Sequence, residues 1–393
     1  MKRRHVLMSA VSFAWALALA GFWAVPESRA ADISLPRTIV WTAYNTGTSG
    51  YNQAVAIGGV LKTNYGVNLR VLPGKNDVSR LSPLRSGKAQ FSATGSDSIY
   101  AQEAVYTFGT RKWGPQPIRL LLHNVADGCA VAMAVAGDAG VETLADLKGK
   151  QVAWVRGAPA INKAIEAMLA FAGLGWNDVR KAEVGGFGAS IDGIITGDHD
   201  AAVSATFSTF MVKLEASPRG LYHPPAPHGD SAGWARLNAV VPWYFPHHCA
   251  QGAGVSEDGY EGIATAYPIL ISTPEVSAET AYNMTKAMYA HYEDYKDGAP
   301  GANGWAWERQ GLETVFLPFH DGAIRYYTET GAWTPAAAAN HGRNLARQET
   351  IQEAWATYVE TAPEDADAFA TGWMAARAGA LRAAGETPLF ESW

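Results

Sequence analysis

The chain has 393 residues, 48% hydrophobic and 17% charged, a globular composition long enough for two to three domains and a sizeable core. Its 31 basic and 37 acidic side chains give a formal charge of −6, which argues against nucleic acid as a partner, since displacing counterions needs a basic face. Two cysteines, Cys129 and Cys249, are too few for a disulfide framework or a multi-cysteine zinc site.

The N-terminus reads Met1-Lys2-Arg3-Arg4, then an apolar run over 6–25, then Pro26-Glu27-Ser28-Arg29-Ala30-Ala31. This pattern predicts a secretory signal peptide over 1–30, cleaved near Ala30 or Ala31. The run is long enough to span a bilayer, so an uncleaved anchor is the alternative reading. The Ala-rich end favours cleavage. Arg3-Arg4 leaves both general secretion and the twin-arginine route open. Removing 1–30 brings the charge to −9. No later apolar run reaches membrane-spanning length without a charge, so the mature chain should be exported without stable membrane insertion. In an oxidising compartment Cys129 and Cys249 can pair, but their spacing does not decide it.

Strand and helix patterns then alternate. Residues 37–44 form a β-rich run, followed by a polar loop over 45–50 and an amphipathic helix over 51–64. A strand over 67–72 leads through Pro73-Gly74-Lys75-Asn76-Asp77 into a helix over 78–85, with Asn76 or Asp77 as its N-cap. A strand over 89–93 leads through Thr94-Gly95-Ser96-Asp97-Ser98 into a third helix. Three such units predict a mainly parallel sheet with helices on both faces. Ligands of such sheets bind outside the carboxyl ends of the strands, where the loops 46–50, 74–77 and 95–98 meet helix N-termini that favour an anion. Ordinary helix capping is the alternative for any one loop.

A second α/β unit begins near 126, with strands over 118–124 and 130–136. A further strand ends at Val155-Arg156-Gly157-Ala158-Pro159, and the helix after it carries Ile161, Ile165, Met168, Leu169 and Ala172 on one face. Prolines weaken the pattern over 217–261. A strand over 263–271, a helix over 279–295 and two Ala-rich helices over 336–358 and 364–384 complete the chain. The expected division is 32–125 with 262–393 as lobe 1, carrying the C-terminal helices, and 126–261 as lobe 2, with a ligand cleft between them. Fourteen tryptophans speak for aromatic packing or an aromatic-lined pocket, without saying which.

Gly229-Asp230-Ser231-Ala232-Gly233 matches the nucleophile elbow of a secreted serine esterase, with Ser231 as nucleophile. The elbow needs a strand before the serine, and the proline-rich 222–228 does not form one. His247-His248-Cys249 and Asp198-His199-Asp200 lack metal-ligand spacing and read as loop polarity. No phosphate loop or complete dinucleotide fingerprint is present, so neither a cofactor nor a metal is expected, and the chain reads as non-enzymatic.

Leu144-Ala145-Asp146-Leu147-Lys148-Gly149-Lys150-Gln151-Val152 resembles the segment that opens the second lobe in many periplasmic solute-binding proteins. The stretches 47–51, 81–97, 280–287 and 320–331, in that order, resemble the TAXI family, the solute receptors of TRAP transporters. The resemblance implies an α/β fold of the type II periplasmic-binding-protein class, two lobes that close on one solute. It also implies a periplasmic location, capture of a small organic anion such as a dicarboxylate or amino acid, and delivery to TRAP transporter membrane subunits. The family's ligand-facing positions fall here on Thr48, Ser49 and Tyr51; on Asn76; on Ser96 and Asp97; and on Arg156, Ala158 and Asn162. Where the family's lobe-two loop carries hydroxyls in Gly-Ser-Gly-Thr, this chain has Gly157-Ala158-Pro159-Ala160, which lacks them but keeps a helix N-terminus for an anion, and the many tryptophans leave room for a more apolar acid. Arg156, at a strand end just before a helix, offers a donor fork that suits a carboxylate. A surface arginine paired with a neighbouring acid is the alternative.

Overall fold

The computed structural model describes residues 33–391, so the expected export signal lies outside the described residues. The first lobe is laid down by β1 (Thr38–Tyr44), α1 (Ser49–Tyr65), β2 (Asn68–Gly74), α2 (Asp77–Arg85), β3 (Phe91–Thr94), α3 (Asp97–Glu103) and β4 (Arg119–His123). The second contains β5 (Ala132–Ala136), β6 (Gln151–Val155), α4 (Pro159–Phe171), β7 (Arg180–Val184), α5 (Phe187–Thr196), β8 (Ala201–Ser204), α6 (Thr209–Glu215), β9 (Leu221–Tyr222) and α7 (Ser231–Val240). A hairpin of β10 (Phe245–Cys249) and β11 (Tyr260–Ala264) leads back to β12 (Ile269–Ser272). Helices α8 (Ala278–Ala290), α9 (Tyr292–Tyr295) and α10 (Asp321–Glu329) follow, and a hairpin of α11 (Pro335–Thr361) and α12 (Ala366–Ala383) ends the chain.

Local chemistry sets these boundaries. All four residues of β3 are buried, as suits a strand covered on both faces. Helix α1 stops at Gly66, whose φ of +67° is the left-handed conformation a C-terminal cap requires. Helix α2 starts at Asn76, which accepts from the Ser79 N–H while Ser79 Oγ accepts from the Asn76 N–H, a complete capping box.

Two five-stranded sheets result, ordered β2-β1-β3-β12-β4 and β7-β6-β8-β5-β9, besides the two-stranded β10-β11 sheet. In the first, β1 runs parallel to β2 and β3, and β12 runs antiparallel to β3 and β4. In the second, β6 runs parallel to β7 and β8, and β5 runs antiparallel to β8 and β9. The second sheet thus repeats the plan of the first. A separate apolar core sits around each of the five-stranded sheets.

The strand expected over 263–271 is two strands. Strand β11 belongs to the hairpin, β12 to the first sheet, and the turn between them contains the cis Tyr267–Pro268 peptide. The two chain crossings run side by side: the Tyr267 N–H donates to Asn124 O at 2.8 Å, the Asn124 N–H to Pro268 O at 3.1 Å, and Val131 bridges Ile263. Cys129 and Cys249 form a disulfide with Cα atoms 5.1 Å apart, which ties the first crossing to the end of β10. Among the described residues, no helix is long and apolar enough to cross a membrane.

Candidate ligand-binding site

The loops at the strand ends of the two sheets face and touch each other. Asn76 Nδ2 donates to Arg156 O at 2.9 Å, the Phe187 N–H to Lys75 O at 2.8 Å, and the Thr209 N–H to Gly47 O at 3.1 Å. Gly157 makes the first approach possible: its φ is +70°, and a Cβ there would lie 2.9 Å from Asn76 Nδ2. Tyr44 of β1 stacks on Phe187 of α5, with centroids 5.7 Å apart and planes at 9°.

A cavity of about 70 Å³ lies between these contacts. Thr48, Ser49, Arg80, Ser96 and Tyr267 give it a polar side, and Val131, Ile161, Ala164, Phe187 and Val203 an apolar one. Thr48 precedes α1 without capping it, and its buried Oγ1 has no hydrogen-bond partner. The uncapped first turn of α1 therefore meets the cavity beside a free hydroxyl, an arrangement that favours an anion.

Arg80 is the charged centre. Its guanidinium is 1% exposed and lies 3.7 Å from the Tyr44 ring centroid, a cation–π contact. Nε donates to Asp97 Oδ2 at 3.1 Å and Nη2 reaches Asp97 Oδ1 at 2.6 Å, a bidentate pair. Nη1 is buried on a side chain that lines the cavity and makes no hydrogen bond of good geometry, while the guanidinium also interacts with the Tyr267 hydroxyl. Burial works against the guanidinium charge, but Asp97, Tyr44, Tyr267 and Asp77 together outweigh it and raise the Arg80 pKa. The Tyr267 hydroxyl beside it is pushed up by burial, with Arg80 pulling the other way.

Asp77 faces the same cluster. Burial and then the Asp97 carboxylate push its carboxyl up to about 7, against the pull of Arg80 and of hydrogen bonds from Tyr44 and Ala160. The Tyr44 hydroxyl donates to Oδ1, and the Ala160 N–H donates to Oδ2 at 2.8 Å. Ala160 lies in the first turn of α4, so a lobe-one carboxyl occupies this lobe-two helix N-terminus, beside the expected ligand-facing Ala158 and Asn162.

The expected site residues separate accordingly. Thr48, Ser49 and Ser96 line the cavity, and Asp97 stands behind it as the partner of Arg80. Tyr51 is half-buried and does not line it. Asn76 caps α2 and bridges to lobe two. Arg156 is exposed, away from the cavity lining. Ala158 is the buried N-cap of α4, and Asn162 turns its amide to the Val155 N–H and C=O, both at 2.9 Å. Arg80, Tyr44, Tyr244 and Tyr267 were not anticipated. The one available signal was Arg80 on the inward face of α2 with Asp77, Leu81 and Leu84.

The other motifs take local roles. Ser231 is exposed at the start of α7, with Asp230 as N-cap accepting from the Gly233 N–H at 2.8 Å, so no strand-to-helix elbow exists there. Cys249 is oxidised with Cys129, and His199 Nε2 lies 2.6 Å from Ser190 O. Among the described residues, no group of three or more His, Cys, Asp or Glu side chains is placed to hold a metal.

Paired sheets of matching strand order, two antiparallel crossings and a cavity between strand ends define the class: a type II periplasmic-binding-protein fold. The chain belongs to the NMT1-like family, which it matches over residues 42–331. The alkanesulfonate-binding protein SsuA from Xanthomonas axonopodis pv. citri, bound to MOPS, is similar at 14% identity and a TM-score of 0.44, covering 79% of this chain and 85% of that one. The periplasmic aliphatic sulphonate binding protein SsuA from Escherichia coli is similar at 14% identity and a TM-score of 0.43, over 85% and 91% of the two chains. PhnD1 from Prochlorococcus marinus, in complex with methylphosphonate, gives 12% and 0.39, over 64% and 82%. No curated protein matches the sequence.

Proposed function

We propose that this chain is an exported receptor that captures a small organic acid between its lobes and hands it to the membrane subunits of a TRAP transporter. The observation that carries the reading is Arg80 Nη1, a buried cationic donor without a hydrogen bond of good geometry on a side chain that lines the interlobe cavity. Leaving such a donor unmet is costly, and a solute carboxylate meets it with a charge-assisted hydrogen bond. Thr48 Oγ1 and the first turn of α1 supply further donors. The apolar side of the cavity favours an acid with a hydrocarbon body. Solute passes in and out as the lobes part about the paired crossings, the usual motion of this architecture. Delivery to TRAP subunits, and membership of the TAXI receptors among them, rest on the order of the sequence stretches that resemble that group.

A thermal-shift screen of organic acids, amines and neutral solutes tests the reading. An acid present at a hundred times its Kd should stabilise the protein by about 2.7 kcal/mol through mass action. Amines and neutral analogues should leave the melt in place. Stabilisation by an amine with no acid effective, or an esterase activity lost in Ser231→Ala, would overturn it. With the solute in hand, uptake by vesicles carrying the membrane subunits should require both this chain and an ion gradient.

A further inference from the structure

A larger chamber of about 500 Å³ adjoins the interlobe cavity. Gly95, Ser96, Tyr244 and Thr265 line both, so the two spaces meet at these residues. Ser96 Oγ accepts from Trp243 Nε1 at 2.8 Å at this junction. The lobe-two segment Trp243–Phe245 lies over lobe one here, and Trp243 packs edge-on to Phe316 at 5.3 Å. Ile99, Leu120, Ile269 and Leu317 make the rest of the chamber mostly aliphatic.

Size divides the labour. A dry cavity of about 150 Å³ holds one benzene, so a cavity of about 70 Å³ takes little more than a carboxylate and its first carbons. The chamber has room for the rest of a much longer molecule. It also has one unmet polar group. His123 lines it, is 5% exposed, and its Nδ1 has no hydrogen-bond partner. Nε2 lies 2.8 Å from the Gly311 N and 2.9 Å from Arg309 O, so Nδ1 is left free in either tautomer.

We infer that the solute is an amphiphilic carboxylate, with its head at Arg80 and Thr48, an apolar tail in the aromatic chamber, and one polar atom on that tail opposite His123 Nδ1. The inference rests on the organic-acid reading above and narrows it to a class. Small dicarboxylates and amino acids are poorer fits, because a second charge would enter a mostly apolar chamber whose lining arginine, Arg309, is already paired with Asp127 at 2.7 Å.

Calorimetric titration with straight-chain carboxylates from acetate to decanoate tests it. Affinity should rise about fourfold per added methylene, the gain from burying one CH₂, until the chamber is full. In Ile99→Trp and Val315→Trp, which fill the chamber from two elements, this length dependence should flatten; the second variant guards against a folding defect in the first. A hydroxyl or keto group near the tail end should add at least fivefold in the wild type and nothing in His123→Phe. Equal affinity for short and long acids overturns the inference while leaving the cleft reading intact. So does decanoate binding equally to wild type and Arg80→Lys while short acids still bind the variant more weakly, which would make the chamber an independent site. Failure of every carboxylate to bind overturns both.

Discussion

Glu103→Ala should lower the unfolding free energy by about 3–5 kcal/mol, the usual cost of removing one partner from a buried ion cluster. Glu103, at the C-terminal end of α3, is 1% exposed, and Arg377 and Arg347 are 0% and 8% exposed. Arg347 grips it with two bonds, Nε to Oε1 at 2.6 Å and Nη2 to Oε2 at 3.2 Å, and Arg377 Nη2 also binds Oε2. Burial works to raise the Glu103 pKa, but the two guanidinium groups prevail and hold it below the ordinary range. The same arginines reach the C-terminal tail, Arg377 through Phe390 O at 2.6 Å and Arg347 through Thr387 O at 3.0 Å. One carboxylate therefore fastens α11, α12 and the tail to the first lobe. Chemical denaturation of Glu103→Ala against Arg382→Ala reads the effect. Arg382 pairs with Glu391 in solvent, and such pairs contribute about 0–1 kcal/mol. Equal losses in the two variants would show that the cluster does not hold the hairpin.

Asp77→Asn should change how stability depends on pH. The Asp77 carboxyl is pushed up to about 7 from an ordinary 3.8, chiefly by burial and the Asp97 carboxylate. A carboxyl with a raised folded-state pKa contributes its full stability below the unfolded value and loses it as pH rises through the folded value. The wild type should therefore lose up to about 4 kcal/mol between pH 4 and pH 8 on account of this group. Asparagine keeps the neutral form at every pH. The variant should match the wild type near pH 4 and exceed it increasingly toward pH 8. His123 and His223 have pKa values lowered by burial and bias stability the other way, so the difference between the two proteins is the quantity to measure. The contact at stake joins the lobes, through the Ala160 N–H. That bond favours the ionised carboxyl and works against the burial and the Asp97 charge that raise its pKa. A constant gap in melting temperature from pH 4 to pH 8 would show that Asp77 ionises normally.

The alternation of strands and helices was legible because each strand is a short apolar run between turn residues and each helix has a stop. The expected helices over 336–358 and 364–384 differ from α11 and α12 by only a few residues at any end. Pro224, Pro225, Pro227, Pro242 and Pro246 hid α7 and the β10–β11 hairpin, since propensity alone cannot show that prolines will sit at an edge or outside an element. In the site, the polar loops before helices contain Thr48, Ser49 and Ser96, which line the cavity. Arg80 was not legible: an arginine in a short helix reads as a solvated side chain, and its burial depends on Asp97 arriving from a different loop. Arg156 lies outside the cavity lining for the converse reason. Its place at a strand end is what sequence shows, while Asp77 filling the neighbouring helix N-terminus is a tertiary event. The tryptophans serve both roles left open by composition: Trp41, Trp305 and Trp373 are fully buried packing residues, and Trp243 walls the chamber.

The interlobe reading stands on the unmatched donor of Arg80, and Arg80→Lys isolates it. Lysine keeps the positive charge that Asp97 requires but lacks the fork that serves Asp97 and the cavity together. Calorimetric titration of wild type and Arg80→Lys with the acid found in the screen is the decisive measurement. Loss of one hydrogen bond to a charged group is worth about 1.5–3 kcal/mol, so the variant, still folded by circular dichroism, should bind roughly 10- to 150-fold more weakly. Wild-type affinity in Arg80→Lys would contradict capture of the acid at this cavity.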